Sequence, residues 1–228
     1  MPRTHSRRYQ KAAAKLDRNK RYALVEGLAL IKSLAGPKFH DTVDVAVRIG
    51  IDAKKTDQLV RGSVSLPKGT GKSVKIAVFA EGDRAKAALE AGADFVGSAD
   101  LADKIEKGWT DFDMTIASPD MMKYVGKLGK VLGPQGKMPS PKAGTVTPNV
   151  AAAVKEFKAG KIEFRTDAGA NVHAAIGKKS FGAEDLATNL NAFLDHLRTL
   201  RPAQAKGEFI KKVVVSTSMG PGVALAVQ

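Results

Sequence analysis

The sequence predicts an α+β domain that is formed by both ends of the chain and interrupted by a parallel α/β insert. Residues 43–51 alternate apolar and polar side chains, which is typical of an antiparallel sheet with one solvent-exposed face. Residues 74–80 are almost continuously apolar, which is typical of a covered parallel strand. The net charge of +14 is unevenly spread, since residues 1–69 carry +9, residues 160–228 carry +3 and residues 70–159 carry +2. If the two ends fold together, they form one basic domain around a nearly neutral insert.

The composition is that of a globular protein with a polyanionic partner. Hydrophobic residues make up 43% of the 228 residues and charged residues 26%, so a core is expected in one large domain or two ordinary ones. The 37 Lys and Arg against 23 Asp and Glu point to nucleic acid. No segment approaches the roughly 20 apolar residues of a membrane span or has the pattern of a secretory signal. The absence of cysteine excludes disulfides and thiolate chemistry and fits the cytoplasmic protein that we expect. The sequence has no basic amphipathic helix with bulky aromatics on its apolar face, so we expect no membrane partner.

The first end of the chain begins with a basic arm, then a helix and two strands. The 21 N-terminal residues contain eight basic residues and one acid, Asp17, which fits either a phosphate contact or a solubilising helix. Apolar residues recur at i, i+4 and i+7 over 24–31, which predicts a helix that buries one stripe. Strands are predicted at 43–51 and at 60–66, where apolar and polar residues alternate again.

The middle of the chain alternates short strands with short helices. Strands are predicted at 74–80, 94–97 and 113–117. Helices are predicted at 84–91, between the second strand and Lys107, and from Pro119 onwards. Short connections of this kind are typical of β-α-β units around a parallel sheet. Glycine-bearing segments at 67–71 and 158–161 lie at the two ends of the insert and predict a two-strand hinge.

The second end returns to antiparallel features. Alternation at 162–164 and 172–176 predicts strands, and a stripe of apolar residues over 186–197 predicts a helix. The β-branched run Val213–Val215 predicts a further strand, because stiff branched side chains fit a pleated sheet. Helices and antiparallel strands mixed in this way predict an α+β sandwich with the helices on one sheet face.

The most informative segment follows that last strand, and we call it the ledge (Ser216–Met219). Its three hydroxyls suit sugar and phosphate, and its thioether suits flat bases. The turn Gly220-Pro-Gly222 would hold the ledge rigidly, because Pro221 fixes its own φ. The alternative interpretation is a structural strand end with a surface turn.

Two further segments carry residues suited to RNA. Lys38-Phe-His-Asp-Thr42 places an aromatic ring and a hydroxyl beside a basic residue, although a phenylalanine such as Phe39 is more often a core residue than a stacking platform. Arg165-Thr-Asp-Ala-Gly-Ala-Asn171 offers an arginine fork, an acceptor and a tight turn, so Arg165 could read base edges or bind phosphate with Asp167 orienting it.

The motifs of nucleotide-dependent enzymes are incomplete. Gly69-Thr-Gly-Lys-Ser73 lacks the first glycine of a phosphate loop, since Leu66 stands there, and a strand follows it instead of a helix. The insert has no G-x-G-x-x-G after its first strand. The acids Asp111, Asp113 and Asp120 are explained by local structural roles, and the four histidines show no ligand spacing. We therefore expect no enzyme, cofactor, metal or small-molecule substrate.

Basic residues without acids mark a second surface in the insert. Residues 121–155 contain six lysines and no Asp or Glu, and prolines and glycines make 133–147 an extended loop. This segment is either a solvated basic face or a second RNA-contacting surface. Composition alone would also fit a free-standing translational regulator or an RNA chaperone.

Specific motifs then give a resemblance over essentially the whole chain. The motifs are Lys38-Phe-His-Asp-Thr42, Val60-Arg-Gly-Ser-Val-Ser-Leu-Pro67, Gly126-Lys-Leu-Gly-Lys-Val-Leu-Gly-Pro-Gln-Gly-Lys-Met-Pro139, Gly160-Lys-Ile-Glu-Phe-Arg165 and Ser216-Thr-Ser-Met-Gly-Pro-Gly222. Together they resemble the bacterial family of the first-numbered ribosomal protein of the large subunit, which forms the mobile side stalk. The segments Gly133–Pro139 and Ser216–Gly222 are the most specific.

The resemblance implies a fold, partners and contact residues. It implies a discontinuous rRNA-binding domain at 1–68 and 160–228, with an antiparallel sheet of the split β-α-β type, and a hinged Rossmann-like insert of three layers at 69–159. It implies a monomer when free, located in the cytoplasmic ribosome, with large-subunit stalk rRNA, its own mRNA leader and exit-site tRNA as partners. Carried to matching positions, it implies RNA contacts at Lys38, Phe39, Thr42, Arg61, Arg165, Asp167, His173, Thr217, Ser218, Met219 and Gly220.

Overall fold

The computed structural model describes residues 5–17, 19–205 and 207–226, with only the backbone at Thr56. Arg3 and Arg18 of the basic arm lie outside the described residues. The chain divides into two compact units. The discontinuous unit is Met1–Gly71 with Ile162–Gln228, and the inserted unit is Lys72–Lys161. No helix among the described residues has the length and apolar character needed to cross a membrane.

The predicted strands and helices are present with shifted ends, but the helix Val150–Ala159 and the strand Val223–Leu225 were not predicted. The helices are α1 (Arg7–Ala13), α2 (Leu24–Ser33), α3 (Asp83–Glu90), α4 (Ala99–Glu106), α5 (Met122–Val125), α6 (Gly129–Leu132), α7 (Val150–Ala159) and α8 (Ala183–Thr199). The strands are β1 (Thr42–Ile49), β2 (Arg61–Ser65), β3 (Ile76–Phe79), β4 (Phe95–Gly97), β5 (Met114–Ala117), β6 (Lys161–Arg165), β7 (Asn171–Lys178), β8 (Ile210–Thr217) and β9 (Val223–Leu225). Single turns of 3₁₀ helix lie at Thr56–Gln58, Pro119–Met121, Gly126–Leu128 and Pro141–Ala143.

A four-stranded antiparallel sheet forms the centre of the discontinuous unit. Its strand order is β7-β1-β8-β9, so β1 and β8 are the inner strands. In β1 every second residue from Val43 to Ile49 is buried, and the residues between them are less covered. Helices α2 and α8 pack on this buried face and share one core with the sheet. The predicted antiparallel sheet with helices on one face is confirmed.

A second, two-stranded sheet of β2 and β6 adds to the same core. Phe164 of β6 meets Phe193 of α8 edge to face, with ring centroids 5.4 Å apart. Both rings are buried, and such a pair adds about 0.5–1.5 kcal/mol beyond its buried area. The discontinuous unit therefore has its own hydrophobic core, built from residues on both sides of the insert.

The segment that leaves the discontinuous unit is tied to α8. The buried Asn189 accepts a hydrogen bond from Lys68 N at 2.9 Å and donates to Gly69 O at 2.9 Å. Its amide also donates to Ile176 O in β7 at 2.8 Å. Because a buried amide must satisfy its polar atoms, Asn189 holds the chain to this unit as far as Gly69.

A bulge in β7 changes which face its last residue occupies. Val43 lies opposite Gly177 and Asp44 lies opposite Ala175, so Ile176 is an extra residue. Gly177 has φ +153°, and a Cβ there would lie 2.9 Å from the Leu186 side chain. The glycine therefore permits a close approach between β7 and α8, and the bulge places Lys178 opposite Thr42 on the outer face of the sheet.

The inserted unit is built around a three-stranded parallel sheet of order β4-β3-β5. All four residues of β3 are buried because helices cover both of its faces. Ala77 and Phe79 pack with α4 and the segment from Met121 to Leu132, whereas Ile76 and Val78 pack with α3 and α7. The predicted parallel sheet is confirmed, and its continuous apolar pattern reflects burial on both sides.

Candidate RNA-binding surface

The ledge begins inside β8 and not beyond it. Thr217 is the last residue of this strand, lies opposite Val43 and is only 8% exposed. The prediction that its side chain lies beyond the strand is wrong, because Thr217 continues the buried alternation of Val213 and Val215. Ser218 is exposed and Met219 is 52% exposed. Ser218 and Met219 can therefore present their side chains to a partner, whereas most of the Thr217 side chain is buried.

Gly220 closes a tight turn against Thr217. Its N–H donates to Thr217 O at 3.1 Å, and a Cβ at Gly220 would lie 2.3 Å from Thr217 Oγ1. Any side chain at position 220 would therefore push the hydroxyl away or open the turn. In the described part of the chain, the Thr217 hydroxyl has no hydrogen-bond partner within the protein, which leaves it available to a ligand or to water.

Thr42 joins the ledge across the sheet. Thr42 N donates to Ser218 Oγ at 3.3 Å, and Ser218 N donates to Thr42 O at 3.1 Å. Lys178 Nζ donates to Thr42 Oγ1 at 2.8 Å. These contacts bring the predicted residues Thr42 and Ser218 together. They also add a cation, Lys178, which was not among the predicted contact residues.

Lys38 and Phe39 lie in the bend that enters β1. Both are exposed, and Phe39 keeps 55% of its surface open. Neither packs into a hydrophobic core of the described chain. An aromatic ring that packs into no core is better suited to stacking. Of the two interpretations of Phe39, its exposure therefore excludes the core residue.

Asp167 organises the turn between β6 and β7. Its Oδ1 accepts hydrogen bonds from Asn171 N at 2.7 Å and Gly169 N at 2.8 Å, and Asn171 Nδ2 donates to Oδ2 at 3.1 Å. These bonds, led by that from the Asn171 backbone, lower the pKa of Asp167 to about 2. His173 Nε2 lies 3.3 Å from Oδ2. Among described residues Asp167 thus orients His173, and the expectation that it orients Arg165 is not met.

The two arginines lie apart from the ledge strands, on the two-stranded sheet. Arg61 donates from Nε at 3.0 Å and from Nη2 at 2.6 Å to Glu163 Oε1. Arg61 would have to exchange this ion pair for a phosphate contact. Arg165 is exposed and forms no ion pair with a described residue, so it is the freer of the two arginines to bind phosphate.

The outer face of the four-stranded sheet is polar where it adjoins Thr42. Asp44 of β1 lies opposite Ser216 on one side and Ala175 on the other, two residues along from His173. Burial raises the pKa of Asp44, and the charges of Lys178 and His173 oppose that rise. The alternation of β1 was the signal that could have included Asp44, since it is a polar position between Val43 and Val45.

Comparison with known proteins assigns the family. The model of the ribosomal protein L1p/L10e family matches residues 30–221. The chain belongs to this family. It is 56% identical over 218 residues to large ribosomal subunit protein uL1 of Azoarcus sp. (strain BH72), covering 96% of this chain and 94% of that protein. It is 54% identical over 218 residues to large ribosomal subunit protein uL1 of Corynebacterium urealyticum, covering 96% of this chain and 92% of that protein.

Members of the L1 family are structural ribosomal proteins, which confirms the prediction that the chain is not an enzyme. The acids considered for a carboxylate site have ordinary partners in the inserted unit. Asp111 pairs with Lys75, Asp113 with Lys72 and Asp120 with Arg84. No cluster of three metal-ligating side chains occurs among the residues that the structure describes.

The Asp167 turn makes a testable contribution to stability. The folded pKa of about 2 lies below the ordinary 3.8, so the stabilisation is complete above pH 4 and is lost as the pH falls through 2. Because the side chain is 41% exposed, solvent screening reduces the effect. We expect Asp167→Asn to lower the free energy of unfolding by about 1 kcal/mol at neutral pH and by almost nothing near pH 2.

Denaturant unfolding at several pH values measures this difference. Asp83→Asn is the control, since Asp83 is fully exposed and its nearest cation is 4.0 Å away. A loss of stability that stays the same at low pH would show that Asp167 acts through packing and not through its charge.

Proposed function

We propose that this structural constituent of the large ribosomal subunit binds the rRNA of the mobile side stalk through the ledge and its neighbours. The observation that carries the proposal is the joining of Thr42 and Ser218 by three hydrogen bonds, next to Thr217 and the exposed Met219. A rigid hydroxyl-lined edge can match the sugars and phosphates of a folded RNA. The ribosome in the cytoplasm is then its place of action.

Each proposed contact residue has a chemical role in this surface. Phe39 and Met219 offer exposed apolar surface against bases, and Thr217 and Ser218 offer hydroxyls to the sugars. The remaining members bind phosphate or shape the turns, and they are Lys38, Thr42, Arg61, Arg165, Asp167, His173 and Gly220. Lys178, which donates to Thr42, adds a positive charge to the same edge.

The rRNA-binding domain is proposed to be discontinuous, formed by residues 1–68 and 160–228, with the insert at 69–159 attached through a hinge. Support comes from the charge, since the two ends hold most of the net +14. Further support comes from the separate cores of the two compact units. The insert would then add length and reach to the stalk, with little part in holding the rRNA.

Two further roles are proposed from the same surface and the same position. A messenger leader that mimics the stalk rRNA would compete for the ledge, so free protein would repress its own operon only when rRNA is scarce. At the stalk, the protein would assist release of the deacylated exit-site tRNA. A monomer in the free state fits this role, because dimerisation is not needed to complete the ledge.

Salt dependence tests the balance between charge and shape in this surface. We expect the logarithm of the affinity for the stalk rRNA fragment to fall linearly with the logarithm of salt, as lysines and arginines displace counterions. A substantial part of the affinity should persist at high salt, because hydroxyl and base contacts are not screened. Filter binding over a salt series measures both parts. Complete loss of binding at high salt would mean a non-specific polycation.

Crosslinking in a cell extract tests the function as a whole. We expect the protein to be recovered with large ribosomal subunits, with its RNA crosslinks close to the ledge and to Phe39. Recovery mainly with diverse messengers would instead favour a free-standing translational regulator or an RNA chaperone. Comparison with Met219→Ala, which should lose the crosslinks near the ledge, serves as the matched control.

A further inference from the structure

A groove on the inserted unit lies at the free edge of its parallel sheet. β4 is the edge strand of the order β4-β3-β5, and the groove between it and α4 has a volume of about 670 Å³. Phe95, Val96, Leu101 and Trp109 form its apolar lining. Lys104 and Lys107 form its basic rim. The groove is distant in sequence from every residue assigned to the ledge.

The floor of the groove is aromatic and keeps an open hydrogen-bond donor. Trp109 meets Phe95 edge to face, with centroids 4.7 Å apart and planes at 84°. Both rings are only half-buried, although they pack against the core of the unit. Within the described part of the chain the Trp109 indole N–H has no hydrogen-bond acceptor. Because the ring is only half-buried, its N–H is open to water or to a ligand.

The rim of the groove carries two lysines with no direct ionic partner among the described residues. Lys104 and Lys107 are exposed and form no ion pair with any described residue. The acid that lines the groove, Asp94, is already engaged, because it accepts from Ile76 N at 2.9 Å and pairs with Lys158 at 3.3 Å. An anionic ligand would therefore meet two free ammonium groups.

We propose that this groove binds an unpaired RNA nucleotide, with the base against Trp109 and Phe95 and its phosphates at Lys104 and Lys107. Each nucleotide combines one flat ring with one negative charge. These two features complement the aromatic floor and the basic rim of the groove. An acidic peptide added to the sheet edge fits less well. β4 has only three residues, so a peptide strand would gain few backbone hydrogen bonds.

This second RNA site goes beyond the proposed binding of stalk rRNA by the ledge. It lies on the other compact unit and does not need the ledge to be occupied. Its recognition is also of another kind, because stacking on an aromatic floor accepts any base, whereas the ledge matches a folded shape. The two sites can therefore be tested separately in the full chain.

The experiment uses the single tryptophan of the chain as its own reporter. Titration with hexaadenylate RNA at moderate salt should quench the Trp109 emission saturably. Lys104→Ala with Lys107→Ala should weaken this binding by about tenfold or more. The matched control is Lys86→Ala with Lys155→Ala, which removes the same charge from helices on the opposite face of the sheet. We expect it to change the affinity less than about threefold.

Three outcomes would overturn the proposal. The first is that hexaadenylate fails to quench the emission saturably, and the second is that the two double variants lose affinity equally, as expected for non-specific charge. A glutamate-rich hexapeptide that quenches where the RNA does not would assign the groove to a peptide. Met219→Ala separates this test from the ledge, since it should weaken binding of the stalk rRNA fragment and leave the hexaadenylate titration unchanged.

Discussion

Met219→Ala should weaken binding of the isolated stalk rRNA fragment by ~1–3 kcal/mol, or about 5- to 150-fold. The thioether stands at the exposed tip of the ledge, next to the Gly220 turn that holds it. If it packs against bases at the centre of the interface, its removal leaves a gap that water fills poorly. The melting temperature should stay almost unchanged, because Met219 is 52% exposed and belongs to no core cluster of the described chain.

Affinity and melting temperature should be measured together on this variant. Lys127→Ala is the control, since Lys127 is an exposed residue of the inserted unit and should barely alter binding of the fragment. A Met219→Ala protein that loses stability, while its folded fraction binds normally, would return the ledge to the alternative of a structural strand end.

Substitutions of Thr217 should affect both stability and binding, in separable ways. Thr217→Ala removes a buried β-branched side chain from the end of β8 and should cost about 1–2 kcal/mol of unfolding free energy. Thr217→Val keeps the branched shape and removes only the hydroxyl. Since that hydroxyl has no protein partner among the described residues, Thr217→Val should leave stability within about 0.5 kcal/mol.

The two variants should agree in their effect on RNA. Each leaves a sugar or phosphate group in the interface without its hydrogen-bond partner, which should cost ~1–3 kcal/mol of binding. Chemical denaturation and RNA titration of both proteins give the two quantities. Normal affinity of Thr217→Val would mean that the hydroxyl makes no contact to RNA.

Most regular elements could be predicted because each has a short-range signal, but α7 and β9 were not predicted. The alternation of β1 follows from a sheet covered on one face, and the continuous apolar run of β3 follows from a sheet covered on both. The excess charge at both ends gave a sound reason to pair them, although no local pattern encodes which strands become neighbours. The hydroxyls, the methionine and the Gly-Pro-Gly turn of the ledge predict a binding surface, and its contact with RNA stays a prediction.

What the sequence missed depends on contacts that are distant along the chain. Lys178 reaches Thr42 only because Ile176 is an extra residue in β7, whereas simple alternation would have placed Lys178 on the core face. Thr217 is buried because it pairs with Val43, which lies far away in sequence. The exposure of Phe39 runs against its residue type, since phenylalanine is among the residues most often buried.

We propose that the discontinuous unit alone holds the rRNA, so it should bind the RNA without the inserted unit. Residues 1–71 joined to residues 162–228 by a short linker should fold, because residues before and after the insert in the sequence together form one hydrophobic core. The joined protein should bind the stalk rRNA fragment within about threefold of the full chain. A joined protein that folds and yet binds more than about tenfold more weakly would contradict the claim and assign a share of the affinity to the inserted unit.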